Sequence, residues 1–183
     1  MVKDMTNGSP SRHILGFAVP MLFGMLFQQF YNLVDTIIVG KTLGVEALAG
    51  VGATGSINFM IIGFCMGVCN GFVIPVAQCF GAKKPADLRK YVFNGYICSI
   101  VFAIVLTLAS VIFCRRILII MNTPADIFQD AYKYIMIICA GIFTQVMYNL
   151  LAGILRALGN SKTPLYFLLF SAVLNIVLDL VLI

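Results

Sequence analysis

Five apolar runs, each close to the length of a bilayer crossing and each carrying at most one charge, constrain this 183-residue chain more than any motif in it. They cover residues 14–39, 51–80, 91–114, 132–155 and 165–183. A helical span needs about 20 predominantly apolar residues, because inside hydrocarbon only a helix or a closed barrel satisfies the backbone. The runs predict an all-α fold, a polytopic transmembrane helix bundle of about five helices. Composition supports this: 61% of residues are hydrophobic, 10% are charged and mean hydropathy is +1.03. Soluble domains carry about a quarter charged residues, so a water-soluble fold is excluded.

The connectors carry turn and helix-start signals. Residues 40–46 form a Gly-rich link, 81–90 a basic link with Pro85, 117–131 an interfacial loop after Arg115 and Arg116, and 156–164 a polar turn closed by Pro164. The first run follows a polar tail and is too long for a signal-peptide core, so it reads as a retained helix. Six cysteines lie in or beside the apolar runs, where cysteine behaves as a small hydrophobe, and they imply no disulfide framework. Cys65 and Cys69 are four apart but no histidine accompanies them, so no metal site is expected.

The net charge of +5 comes from short basic clusters between the apolar runs, which suits membrane anchoring and not a nucleic-acid face. Lysine and arginine are retained on the cytoplasmic side. The tail (Lys3, Arg12) and the links at Lys83, Lys84, Arg89, Lys90 and at Arg156, Lys162 hold eight of them; the other two links (Lys41; Arg115, Arg116, Lys133) hold four. The amino terminus is therefore expected in the cytoplasm of a multi-pass cell-membrane protein.

Polar residues within the runs fall at helical spacing. Gln28, Asn32 and Asp35 share a face of the first helix; Ser171, Asn175 and Asp179 make a stripe on the fifth; Thr54 with Asn58, and Gln145 with Asn149, repeat the pattern. Such amides and hydroxyls often only bond neighbouring helices, at about 0.6 kcal/mol per contact. A carboxylate near the bilayer centre costs about 2.5–3.5 kcal/mol and marks a functional pathway. No lysine or arginine lies at depth to pair with Asp35 or Asp179, so a mobile H⁺ or Na⁺ is the natural counter-charge. Gln28, Asn32, Asn58, Gln145 and Asn149 are candidates for lining a polar cavity. Pro20, inside the first helix, frees a backbone carbonyl and is a candidate hinge. His13, Tyr132 and Tyr134 read as interfacial residues.

The stretch from Pro20-Met21-Leu22 through Gln28-Gln29-Phe30-Tyr31-Asn32-Leu33-Val34-Asp35-Thr36-Ile37-Ile38-Val39-Gly40, with Leu43-Gly44 and Ala47-Leu48-Ala49, resembles the first helix and loop of multidrug and toxic compound extrusion (MATE) transporters. So do Ala77-Gln78-Cys79-Phe80-Gly81-Ala82, the turn from Arg156 to Pro164, and Asn175 with Asp179. The resemblance covers nearly the whole chain. It implies a cation-coupled antiporter that exports organic, often cationic drugs or toxic compounds, built from twelve helices in two six-helix lobes. It assigns cation coupling by H⁺ or Na⁺ to Asp35, Asn175 and Asp179, with no cofactor. Residues 1–183 would be part of an amino-terminal lobe, lacking the sixth helix and the carboxy-terminal lobe. The expected partners are small organic substrates, membrane lipids and that missing lobe, with no nucleic acid. Two alternatives stand beside this reading: a lipid-linked sugar flippase of related fold, which would be expected to carry cationic residues at depth, and a non-transporting membrane fragment or assembly partner. A membrane enzyme finds no nucleophile with a base, no metal cluster and no phosphate-binding glycine loop.

Overall fold

The structure, a computed structural model, describes residues 9–42 and 44–182; the side chains at 10, 12, 39, 46, 47, 179, 180 and 182 fall outside that description. Among the described residues the chain forms five α-helices: α1 (Pro10–Thr42), α2 (Gly44–Gly81), α3 (Pro85–Ile120), α4 (Phe128–Ala157) and α5 (Lys162–Leu182). The first four are long and apolar enough to cross a membrane, and the fifth has a shorter apolar stretch. At 38 residues α2 is about 57 Å long, against about 30 Å of hydrocarbon, so it tilts or projects beyond the bilayer.

The helices outrun the apolar segments that announce them. α3 continues past Arg115 and Arg116 to Ile120, and α4 begins at Phe128, which shrinks the expected loop at 117–131 to 121–127. The expected link at 40–46 is helical up to Thr42 and again from Gly44. Hydropathy marks where lipid contact ends, whereas helical hydrogen bonding continues into the headgroup layer, where long basic side chains reach water. What stops each helix is local. α2, α3 and α4 all close with the same pair of bonds: the second residue beyond the helix donates across one turn, and the next N–H donates to the carbonyl five residues back. The pairs are Lys83 to Phe80 with Lys84 to Cys79, Asn122 to Ile119 with Thr123 to Leu118, and Gly159 to Arg156 with Asn160 to Leu155. The turning residue has positive φ in each case: Lys83 at 55°, Asn122 at 54° and Gly159 at 81°.

α4 is the centre of the bundle, packing most extensively on α2 and then on α3, while α1 pairs chiefly with α5. α2 and α4 run parallel: Gly50 meets Asp130 and Ala131 near one end, and Val73 meets Gly153 near the other. Small residues let these helices close without a hydrophobic drive between them. The buried stripe of α3 is Gly95, Ser99, Ala103, Ser110, Cys114 and Leu118. Cys65, Cys69, Cys114 and Cys139 are all buried in the shared core, and the Cys69 thiol donates to the Val146 carbonyl at 3.6 Å. Outward faces are apolar and bare, with Phe59 82% and Ile120 79% exposed, as lipid contact requires.

The tightest point is Gly153, where an added Cβ would lie 2.7 Å from Val73 Cγ2. Valine is stiff at χ1 and cannot swing aside. Gly153→Ala should cost about 1–3 kcal/mol by overpacking. Adding Val73→Ala should recover most of that loss in a double-mutant cycle of thermal unfolding in detergent; strict additivity of the two changes would mean that the α2–α4 contact does not set the spacing.

Candidate transport cavity

α1 and α5 lie side by side and parallel. Gly24 stands against Leu165 and Leu168, and the same progression continues where Gln28 and Tyr31 share a cavity with Leu168, Ser171, Ala172 and Asn175. Carrying that register along the pair sets Asp35 level with residues 176–179. α5 starts at a defined place, because the Asn160 side chain accepts from the Thr163 N–H at 3.1 Å while its amide nitrogen donates to the Thr163 hydroxyl at 2.8 Å. An asparagine bonding three residues ahead is a helix N-cap, which orients α5 as it leaves the turn.

Between the α1–α5 pair and α4 runs a cleft that carries several polar side chains on a largely apolar wall. Its inner part has a volume of about 520 Å³, lined by Gln28, Tyr31, Thr144, Gln145, Tyr148 and Asn175 among others. A narrower part of about 130 Å³ continues past Asn149 to Pro20, Arg156 and Ser161 at the end where α4 turns into α5. The two parts share Gln28, Gln145, Tyr148 and Leu168, so they form one path along the helices. Hydroxyls and amides dominate the polar lining; Arg156 is the charged member among the described residues.

The structure brings together Gln28, Gln145, Asn149 and Asn175 of the residues singled out by sequence, with Pro20 at the mouth. Asn175 Oδ1 is buried with no hydrogen-bond partner among the described residues. Asp35 is half-buried on α1, near enough to the Tyr134 hydroxyl of α4 for the two to interact electrostatically. Asp179 belongs to α5, one turn beyond Asn175, and its side chain lies outside the described residues.

Two of the sequence candidates lie away from this cleft, and two polar residues bond within their own helices. Asn32 does not line the cleft: α1 turns Gln28 and Tyr31 inward, and Asn32, on the far flank of Gln28, is exposed and donates to Gln29 Oε1 at 3.4 Å. Asn58 is likewise absent from the lining and sits beside the α2 stripe that packs on α4, its Oδ1 buried without a partner among the described residues. Thr54 and Asn149 bond back within their own helices, Thr54 Oγ1 to the Val51 carbonyl at 2.9 Å and Asn149 Nδ2 to the Gln145 carbonyl at 2.8 Å, and so do not tie helices together through those bonds.

The chain matches the MatE family over residues 20–181. It belongs to the MATE family of multidrug efflux transporters. It is 34% identical over 162 residues to the Bacillus subtilis protein named "Probable multidrug resistance protein YoeA", covering 88% of this chain and 35% of that protein. To "Probable multidrug resistance protein YpnP" of the same organism it is 28% identical over 176 residues, 96% of this chain and 39% of the relative. A solved MATE transporter in an outward-facing conformation superposes with a TM-score of 0.88 at 29% identity, over 95% of this chain and 38% of that one. A MOP-superfamily transporter from Pyrococcus furiosus gives the same values. The chain thus spans a little over a third of the length of these MATE relatives. As a member of this family with several membrane-length helices, it is a multi-pass membrane protein.

Sequence reasoning missed Tyr31, Thr144, Tyr148, Ser161 and Arg156 as lining residues, and Tyr134 as the neighbour of Asp35. Their spacing was informative: Tyr31 lies three residues after Gln28, and Thr144, Tyr148 and Gln145 form one arc of α4. Tyrosine gives no polarity signal on a hydropathy scale, which hid this arc. If the cleft of this MATE chain is wet, Gln145→Cys and Ser171→Cys should react with a small water-soluble thiol reagent at least about tenfold faster than Val146→Cys, whose position is fully buried. A background lacking Cys79 and Cys98 serves, since the other four native cysteines are buried. Equal rates at 145, 146 and 171 would contradict a water-filled path.

Proposed function

We propose that this chain is the amino-terminal part of a cation-coupled MATE antiporter that exports organic, often cationic compounds in exchange for H⁺ or Na⁺. The observation that carries the reading is the cleft between the α1–α5 pair and α4, with Asn175 Oδ1 buried there without a partner among the described residues and Asp35 level with residues 176–179. Carboxylates on both helices, Asp35 of α1 and Asp179 of α5, favour a mobile cation as counter-charge. Binding there shifts the lobe only if two conformations hold the cation with different affinity. α1 supplies a way to differ: Pro20 lies inside it and withholds an N–H from the Gly16 carbonyl, so the helix bends at low cost.

The polar face that α1 leaves bare supports a second lobe. Gln29 and Asn32 are exposed within a span, where hydrocarbon would be a poor neighbour. Alternating access needs two bundles rocking about a shared site, so the chain by itself is not expected to transport. The lining of neutral amides, tyrosines and one arginine offers apolar contact and hydrogen bonds to varied organic molecules, which fits a broad substrate range.

In the complete transporter, Asp35→Asn and Asp179→Asn should each reduce gradient-driven export of a cationic dye to background at normal membrane abundance. Asn149→Ala should cost no more than about 1 kcal/mol of stability and leave export largely intact, because its amide bonds within α4. Export at wild-type rates by both Asp variants, under imposed H⁺ and Na⁺ gradients alike, would rule out coupling at this site.

The basic bias of the links further places the amino terminus and the α2–α3 turn in the cytoplasm. Ala86→Cys, exposed in the first turn of α3, and Ala125→Cys, exposed between α3 and α4, should label from opposite sides of intact cells, Ala125→Cys from outside. Labelling of both from one side would reject this orientation.

A further inference from the structure

We infer that the corner between α2 and α3 is a binding site for the phosphate-bearing headgroup of an anionic phospholipid. A cavity of about 540 Å³ opens there, lined by Gln78, Cys79, Ala82, Lys84, Asp87, Lys90, Tyr91 and Asn94. It is separate from the transport cleft, with which it shares no lining residue.

The lining is graded along the bilayer normal. Asp87, Lys90, Tyr91 and Asn94 recur at three- and four-residue steps and so occupy one face of α3. That face continues as Ile97, Cys98, Val101 and Val105, all exposed and apolar. From the turn inward it reads basic, then aromatic and amide, then bare hydrocarbon. This is the order in which a phospholipid presents phosphate, glycerol esters and acyl chain. On the α2 side Gln78 stands opposite, one turn inside the end of the helix at Gly81.

Lys84 and Lys90 flank the cavity, against Asp87 as its only acidic member. Lys83 and Arg89 add two further positive charges in the same turn. Among the described residues no hydrogen bond or ion pair engages the side chains of Gln78, Lys84, Lys90 or Asn94, so all four are available to a ligand. A loop that served only as a positive anchor would need the charges but not the two amides beneath them, in a cavity. A lysine pair binds phosphate, and amides one turn deeper donate to glycerol and ester oxygens.

The test uses the full chain purified in neutral detergent and native mass spectrometry with added phosphatidylglycerol, phosphatidylcholine or inorganic phosphate. One phosphatidylglycerol should be retained about tenfold more strongly than phosphatidylcholine. Lys84→Gln with Lys90→Gln should remove about that factor, whereas Lys83→Gln with Arg89→Gln, an equal charge loss outside the lining, should remove much less. Gln78→Leu with Asn94→Leu, which changes no charge, should also weaken retention several-fold. The rise in melting temperature on adding phosphatidylglycerol gives a parallel readout and reports whether each variant is folded. Equal retention of the two lipids, equal loss from both charge pairs, or no effect of the amide changes would overturn the site in favour of diffuse attraction. Displacement of the lipid by millimolar inorganic phosphate would overturn it in favour of a soluble-anion site.

Discussion

The structure depends on where polar groups go when hydrocarbon surrounds them. Every amide, hydroxyl and carboxylate inside a span must bond its own helix, meet another helix or face water. Thr54, Thr36 and Asn149 take the first course, bonding carbonyls one turn back. Their polarity is thereby spent locally, which frees the α2–α4 seam to close on small and apolar residues. Gln28, Gln145 and Asn175 line a cleft instead, which exists because the α1–α5 pair does not pack flat on α4.

This division gives the molecule a firm part and a looser one. α2, α3 and α4 share a continuous buried core from Ile57 through Cys139 to Leu150, tightened by glycine at the crossing with Val73. None of the apolar span of α1 is buried within the chain. A helix held mainly by one parallel neighbour, with a proline in its first half, can change its bend without disturbing the three-helix core. Asp35 and Pro20 sit on that helix, while Gln145 and Asn149 sit on α4, within the three-helix core.

The two polar cavities reflect two different surroundings. The cleft between the α1–α5 pair and α4 is lined by neutral groups, with Arg156 toward one end. The α2–α3 corner is basic, open, and continuous with an apolar lipid-facing surface. A charge at the membrane surface keeps most of its hydration, which is why four basic residues are tolerated there and none lies deep in the cleft.

Much of this was legible in the sequence, and for a physical reason. Apolar runs of bilayer length leave only spanning helices, their number follows from counting, and the family pattern from Pro20 to Asp179 lies in contiguous motifs. The helix pairs were not legible. That α1 lies parallel to α5, and α2 parallel to α4, depends on where small residues meet a neighbour, such as Gly24 with Leu165 and Gly153 with Val73. In lipid nearly every helix face is apolar, so hydropathy does not say which face meets a neighbour. The same ambiguity placed Asn32 and Asn58 in the lining and left out Tyr31 and Tyr148. Periodicity assigns residues to a face; only the packing of the other helices decides whether that face meets lipid, protein or water.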